Sequence, residues 1–468
     1  MELTLGKTDQ RVQFALWAVV VLGGCKLFRK SCRKGKSLAG LPEGPEPLEP
    51  RSQPGGISGV WQHAWGFQDD FEHEKKATSI HHSIDSAGHP VAIITKPMLL
   101  AKMEAESGAV TTTIARESRL RSLTGIQNVG RLTEVMEQTL IPLIIRELSP
   151  NGLTSSGLMT HFDQHLRASL LENPGIDTTS LSDFTGRHTF RAVAGALFGP
   201  TFPVSAFEDY ALFVKDMGRI DGPFSNWVPS TRRLRAGRQR IMAAFSQYLE
   251  EWWYADGLHT IPGISPLVRR LLHGAKDEEL DLEEACGGLL AFLYDAHFNL
   301  WSTTAGLISQ ILMDPSAHQR VVDDVRAEST YCFSRLLDSA TYEALRWQPG
   351  ERPQRHLSQD AVFNIDGMQH ALKNGTKLVL DLWGLHFDAD VYGDPLRFDV
   401  TRFLDDSLPL PRSFGEGKRM CKGAYLARLQ VKSFLYHAFR TCDFNFTLPE
   451  NMHTEKGSST SNTSRRYV

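Results

Sequence analysis

Ser413-Phe414-Gly415-Glu416-Gly417-Lys418-Arg419-Met420-Cys421-Lys422-Gly423 runs straight into an amphipathic segment, Ala424 to Cys442, and the reading of this stretch decides the fold. A cysteine ligates a metal only as its thiolate, so it needs a loop that shields the sulfur and points backbone N–H groups at it. Glycines at 417 and 423 permit such a close approach. Arg419, two residues before the sulfur, offers a forked cation to an anionic group. A helix that begins after Gly423 brings its positive dipole end toward the thiolate. A buried structural cysteine beside a glycine turn is the commoner fate of this residue. Two further motifs weigh against that plainer reading.

The rest of the chain sets the bounds. Its 468 residues carry 51 Lys and Arg against 54 Asp and Glu, a net charge of -3, which leaves no basic excess for nucleic acid; no nucleic-acid partner is expected. A hydrophobic content of 41% is ample for a core. The six cysteines, at 25, 32, 286, 332, 421 and 442, form no C-x-x-C pair, which argues against a zinc site and against a disulfide framework. Length alone does not choose between one domain and several.

From Phe14 to Cys25 the run FALWAVVVLGGC is uncharged, and Lys26, Arg29, Lys30, Arg33, Lys34 and Lys36 gather on its C-terminal side. The run is short for a bilayer span of ~20 residues, but the cation excess predicts a signal anchor with the body on the cytosolic side. Residues 1–36 therefore read as a single-pass membrane anchor with a basic stop. Residues 37–58, rich in Pro and Gly, read as a stiff linker. Residues 59–468 read as the catalytic domain. A short strand is expected over Val91–Thr95, and amphipathic helices over Ile126–Leu148, Leu153–Leu171, Leu181–Leu197, Ala206–Met217, Arg232–Tyr254, Leu282–Met313 and Ser316–Gln348. Late strands are expected at Ala361–Ile365, then at Gln369–Lys373 and Thr376–Leu382 joined as a hairpin by Asn374-Gly375. The fold class is mainly α (α+β), helix-rich with small β-sheets.

Two motifs flank these strands. Glu343 and Arg346 stand at helical i, i+3 spacing, and Phe398-Asp399-Val400-Thr401-Arg402-Phe403 follows Tyr392-Gly393-Asp394-Pro395. Together with Phe414, Gly417, Arg419, Cys421 and Gly423, which match every fixed position of F-x-x-G-x-R-x-C-x-G, they resemble the cytochrome P-450 superfamily. The resemblance extends from Pro90 to Phe446. It implies a helix-rich P-450 fold and haem b as cofactor, with Cys421 as the axial thiolate and Arg419 on a propionate. Arg355 sits where the family often places a second propionate-pairing base, with His356 competing for that role. Glu343, Arg346 and Arg402 would form the family's buried network behind the haem loop. Val400 departs from the usual proline.

The segment expected over the haem, Leu289–Leu312, lacks the family's usual acid and threonine. Counting back from Asp314-Pro315 places Asn299 at the threonine position and Phe298 at the acid position; a register using Ser302-Thr303-Thr304 is about one turn shorter. An Asn there is shared with the sterol 7-alpha-hydroxylase and prostacyclin synthase branch, which the chain resembles. Asp295, i, i+4 to Asn299, is the candidate proton donor, and His297 reads as packing. The resemblance implies a monooxygenase of the endoplasmic reticulum membrane that oxidises a lipophilic sterol-, terpenoid- or secondary-metabolite-like substrate. NADPH-derived electrons would come from a partner, NADPH-cytochrome P-450 reductase. The alternative is an isomerase or dehydratase acting on a peroxide-type substrate without a reductase. A haem sensor or carrier is disfavoured, because such a loop in an enzyme-sized body exceeds what carriage requires. The uncharged loop Gly222–Pro229, with Phe224, Trp227 and Val228, reads as a second membrane contact.

Overall fold

A computed structural model describes residues 79–84, 88–172, 180–220, 228–255, 259–348, 354–415, 420–442 and 444, all within one compact unit, Ser58–Val468. The expected anchor over 1–36, the linker over 37–58, and Phe224 and Trp227 lie outside the described residues. Among the described residues no helix is long and apolar enough to cross a membrane.

Strand β1 (Ile80–Ile84) pairs antiparallel with β2 (Pro90–Ile94), before helices α1 (Pro97–Glu106) and α2 (Thr113–Thr124), with β3 (Val110–Thr111) between them. The helical body follows: α3 (Gly130–Val135), α4 (Ile141–Glu147), α5 (Pro150–Ser156), α6 (Leu158–Glu172), α7 (Leu181–Phe198), α8 (Phe207–Val214), α9 (Pro229–Tyr254) and α10 (Pro266–Asp277). It continues with α11 (Leu282–Met313), α12 (Pro315–Ala327) and α13 (Arg335–Trp347). After β4 (Gln354–Leu357), β5 (Ala361–Ile365), β6 (Met368–Leu372) and β7 (Lys377–Leu380) come the short α14 (Leu382–His386) and, past the cysteine loop, α15 (Ala424–Thr441).

Helix α11 starts where expected because Asp281 accepts from the Glu284 N–H at 2.8 Å while Glu284 accepts from the Asp281 N–H at 3.1 Å, a reciprocal cap. It stops where Pro315 cannot continue it, and the Asp314 carboxylate then caps α12 through the Ser316 N–H at 2.9 Å. Most of its length is buried, from Ala285 through Ile311, within the largest apolar cluster. It is thus the axis of the core.

Three expectations need correcting. The helix predicted over Ile126–Leu148 is interrupted by a π-turn at Met136–Leu140, just before Ile141-Pro142. Pro142 has no N–H to give the ladder, and the widened turn absorbs that gap. The helix predicted over Leu153–Leu171 breaks at Gly157, whose φ is 64°. The helix predicted over Ser316–Gln348 is two helices separated at Glu328–Ser334, with Ser334 capping α13.

The predicted hairpin through Asn374-Gly375 is also different. The hairpin joins β5 to β6 through Asp366 and Gly367, with φ of 52° and 81°, the pair of left-handed residues a two-residue turn demands. Strand β7 instead enters the five-stranded sheet, order β1-β2-β7-β4-β3, parallel to β2 and antiparallel to β4. Parallel pairing of strands so far apart in the chain has no local signature.

Behind the cysteine loop lies a buried carboxylate. Glu343 and Arg346 are fully buried and joined by two parallel contacts, Nε to Oε2 and Nη2 to Oε1, each 2.8 Å. Arg402 Nε adds bonds of 3.1 and 3.2 Å to the same carboxylate, and the Asp399 N–H donates to it at 3.0 Å. The remaining guanidinium donors end on backbone carbonyls: Arg346 on His386 and Pro395, Arg402 on Gly393, Asp394 and Arg397. Where the family carries proline, Val400 is buried in the core, and the turn is held by Asp399, which accepts from Thr401 N and Oγ1 at 2.9 and 2.7 Å. Glu343→Ala strands two buried cations, so chemical denaturation should report a loss of about 3–5 kcal/mol.

Burial keeps four histidines neutral: it pushes His188, His386 and His437 down to about 4 and His297 to about 3. Unfolded, each would bind a proton near pH 6.5. The unfolded state therefore holds more protons between pH 4 and 6.5, and stability falls as pH drops through that window. Denaturation midpoints measured from pH 7 to pH 4 should decline steeply below 6.5.

Candidate active site

A cavity of about 940 Å³ lies between α11 and the cysteine loop, at the upper end of the size of ligand sites. Cys421 opens onto it. Burial around the sulfur raises the thiol above its ordinary value, with the Gly423 backbone N–H pulling the other way. The Asp295 carboxylate also raises it, so α11 and the thiol face each other across the same space.

The loop is held from behind. The Cys421 N–H donates to the Phe414 carbonyl at 2.8 Å. Ser413 Oγ donates to the Leu345 carbonyl at 2.6 Å, clipping the loop to the end of α13. His386 Nδ1 lies 3.1 Å from the Arg346 carbonyl and Nε2 accepts the Arg412 N–H at 2.9 Å, a pattern that assigns the proton to Nδ1. The residue whose backbone needs glycine is Gly415, at φ 74°. Gly423 has φ -89°, and a Cβ there would make only ordinary contacts, 3.8 Å to Leu148 and 3.9 Å to Cys421 Sγ. Gly417 and Arg419 lie outside the described residues.

On the opposite wall Asp295, Asn299 and Thr303, spaced i, i+4 and i+8 along α11, all line the cavity. The two registers considered for this helix therefore place their polar residues on one stripe. Thr304 is fully buried, and Phe298 stacks on Tyr294 at 5.1 Å. Arg119 Nη1 on α2 lies 3.4 Å from the Asp295 carboxylate. His297 is packed among Phe190, Tyr210 and Trp301, with Thr189 Oγ1 3.0 Å from Nε2.

Strand β4 brings both candidate propionate bases to the cavity wall. Arg355 is buried and its Nε donates to Glu104 of α1, while His356 stands opposite Lys377 of β7; Arg355, His356 and Lys377 all line the cavity. His356 Nδ1 is buried without a hydrogen-bond partner, and so is Oγ1 of Thr112, next to the residue paired with His356 in β3. Buried polar atoms of this kind are rare unless a bound group satisfies them. A thiol at one wall with unsatisfied donors and Lys377 at an edge fits an iron porphyrin bearing two carboxylates.

The family model described as Cytochrome P450 matches residues 319–467. That is about a third of the chain, and the relatives and the solved structure it resembles are likewise cytochromes P450. Mouse Cytochrome P450 26B1 is 25% identical over 278 residues, 53% of this chain and 52% of that one. Probable cytochrome P450 6a13 of Drosophila melanogaster is 27% identical over 211 residues, 42% of each chain. The chain thus spans about half or less of the length of the curated relatives it matches. The solved cytochrome P450DA heme domain superposes with a TM-score of 0.60 at 18% identity, covering 76% of this chain and 82% of that one, a likeness of fold. The family match implies haem with thiolate ligation. Among the described residues, Cys421 is the residue the sequence named as ligand and His356 the one it named as competing with Arg355; Thr112 and Arg119 were visible in it only as ordinary polar residues.

His356→Ala should speed haem transfer to excess apomyoglobin roughly tenfold, the equivalent of one charge-assisted bond, and Arg355→Ala, which also breaks the contact with Glu104, should speed it as well while lowering stability.

Proposed function

We propose that the protein is a haem-thiolate monooxygenase acting on a lipophilic substrate, with electrons delivered by NADPH-cytochrome P-450 reductase. The observation that carries the reading is Cys421 at the base of a large cavity, facing a polar stripe on an otherwise apolar helix. Haem bound there would supply the redox chemistry: O2, two electrons and two protons insert one oxygen atom into a C–H bond and release the other as water. The chain's part is to hold the cofactor through Cys421, His356 and Lys377, to exclude water with the apolar wall, and to move protons from the distal side. Asn299 can orient a polar group through its amide but has no proton to yield. Asp295, one turn away, is the group that can take up and pass on a proton, with Arg119 Nη1 3.4 Å from it.

The finer features belong to the same proposal: residues 1–36 as anchor in the endoplasmic reticulum membrane, Arg419 on a propionate, and kinship with the sterol 7-alpha-hydroxylase and prostacyclin synthase branch through Asn299. Cys421→Ser should lack the reduced carbon-monoxide band of a thiolate-ligated haem, while changes at the other five cysteines leave it in place. NADPH-dependent O2 uptake with reconstituted reductase should yield hydroxylated product. Product formed from a peroxide substrate without reductase would instead identify the isomerase chemistry. Asp295→Asn should slow O2-driven turnover at least tenfold more than turnover driven by hydrogen peroxide, which brings its own protons; equal loss by both routes would make the acid structural.

A further inference from the structure

His82 on β1 and His370 on β6 meet away from the residues that line the large cavity, at the seam between the five-stranded sheet and the β5–β6 hairpin. Their registers bring them there. His82 stands opposite Ala92 and His370 opposite Phe363, and both of those partners belong to one buried apolar cluster, so the two histidines share its rim. The seam is fixed independently of them. The Asp366 carboxylate in the hairpin turn accepts from Ser79 Oγ and from Lys96 Nζ, the latter at 3.1 Å, which ties the hairpin to the starts of β1 and α1.

His82 Nε2 lies 3.4 Å from His370 Nδ1, with ring centroids 5.7 Å apart and planes 17° from parallel, so the two nitrogens point at each other across a gap. That separation is long for a hydrogen bond to nitrogen, which is best at about 2.9–3.0 Å. It is the separation of two imidazole nitrogens on one tetrahedral ion, where bonds of about 2.0–2.1 Å place them about 3.4 Å apart. Partial burial of His82, then the neighbouring His370 and His81, holds its pKa below the ordinary imidazole value, so at neutral pH the ring is uncharged and has a lone pair to give.

We propose that His82 and His370 form a binding site for a divalent transition-metal cation of the zinc or copper type, which bridges β1 to the β5–β6 hairpin. Among the described residues no group of three or more His, Cys, Asp and Glu is placed to hold a metal, so the ion takes two protein nitrogens and completes its shell with water. Imidazole nitrogen suits zinc and copper, whereas calcium and magnesium require oxygen ligands. The ion sits to one side of the line between the nitrogens. Each ring reaches it by turning about χ2, a soft torsion, and the backbone stays where the Asp366 contacts hold it. The bridge joins residues 288 positions apart, and a clip across so long a loop restricts the unfolded chain strongly.

Equilibrium dialysis of the haem-loaded protein against radioactive Zn2+ tests this. Wild type should bind one more equivalent of Zn2+ than His82→Gln, His370→Gln or the double variant, all three losing the same single equivalent because one nitrogen alone does not chelate. Cu2+ should displace that equivalent, and millimolar Ca2+ or Mg2+ should not. Saturating Zn2+ should raise the thermal unfolding midpoint of wild type by a few degrees and leave both single variants unmoved. An unaltered Soret band certifies each variant as folded. Equal Zn2+ binding by wild type and either single variant, a double variant that loses two equivalents where each single loses one, displacement by Ca2+ rather than Cu2+, or a wild-type midpoint that Zn2+ leaves unmoved would each overturn the proposal.

Discussion

One buried carboxylate constrains most of the C-terminal half. Glu343 has no access to solvent, so it is tolerable only with both Arg346 and Arg402 on it, and each arginine in turn needs carbonyls for its remaining donors. Those carbonyls, on His386, Gly393, Asp394, Pro395 and Arg397, fix the path of the chain between β7 and the cysteine loop. His386 then hands the constraint on, tying Arg346 to Arg412, and the turn through Gly415 delivers the Phe414 carbonyl to the Cys421 N–H. The position of the sulfur is thus inherited, bond by bond, from a charge network several residues removed from it.

That inheritance explains what the sequence discloses. Cys421, Glu343, Arg346 and Arg402 were legible because their chemistry demands fixed residue types at fixed spacing: a thiolate needs its loop, and a buried acid needs its forks. Helix α11 was legible to its ends because Asp281, Glu284 and Pro315 are local signals acting over one turn. The partners of β7 were not, since β2 lies almost three hundred residues away and no local term encodes parallel pairing. Helix α2 escaped notice because it is polar over most of its surface and is held by arginines reaching to other helices, with only Leu120, Ser122, Leu123 and Thr124 buried. Arg355 and His356 differ by one position and alternate along β4, yet both line the cavity, which the strand pattern alone does not disclose.

The two walls of the cavity obey different physics. Behind the cysteine loop the described charges Glu343, Arg346 and Arg402 are committed to one another and to backbone carbonyls, and removing one costs several kcal/mol, so this side is built to hold its geometry. On the α11 side the polar residues are few, spaced one turn apart on an apolar helix, and in part exposed to the cavity. An ion pair such as Arg119–Asp295, with both side chains in part exposed, is worth little to stability. Rigidity where the iron must be held and adjustability where the substrate must be admitted follow from how deeply each charge is buried, and both are consequences of where one helix, α11, crosses one loop.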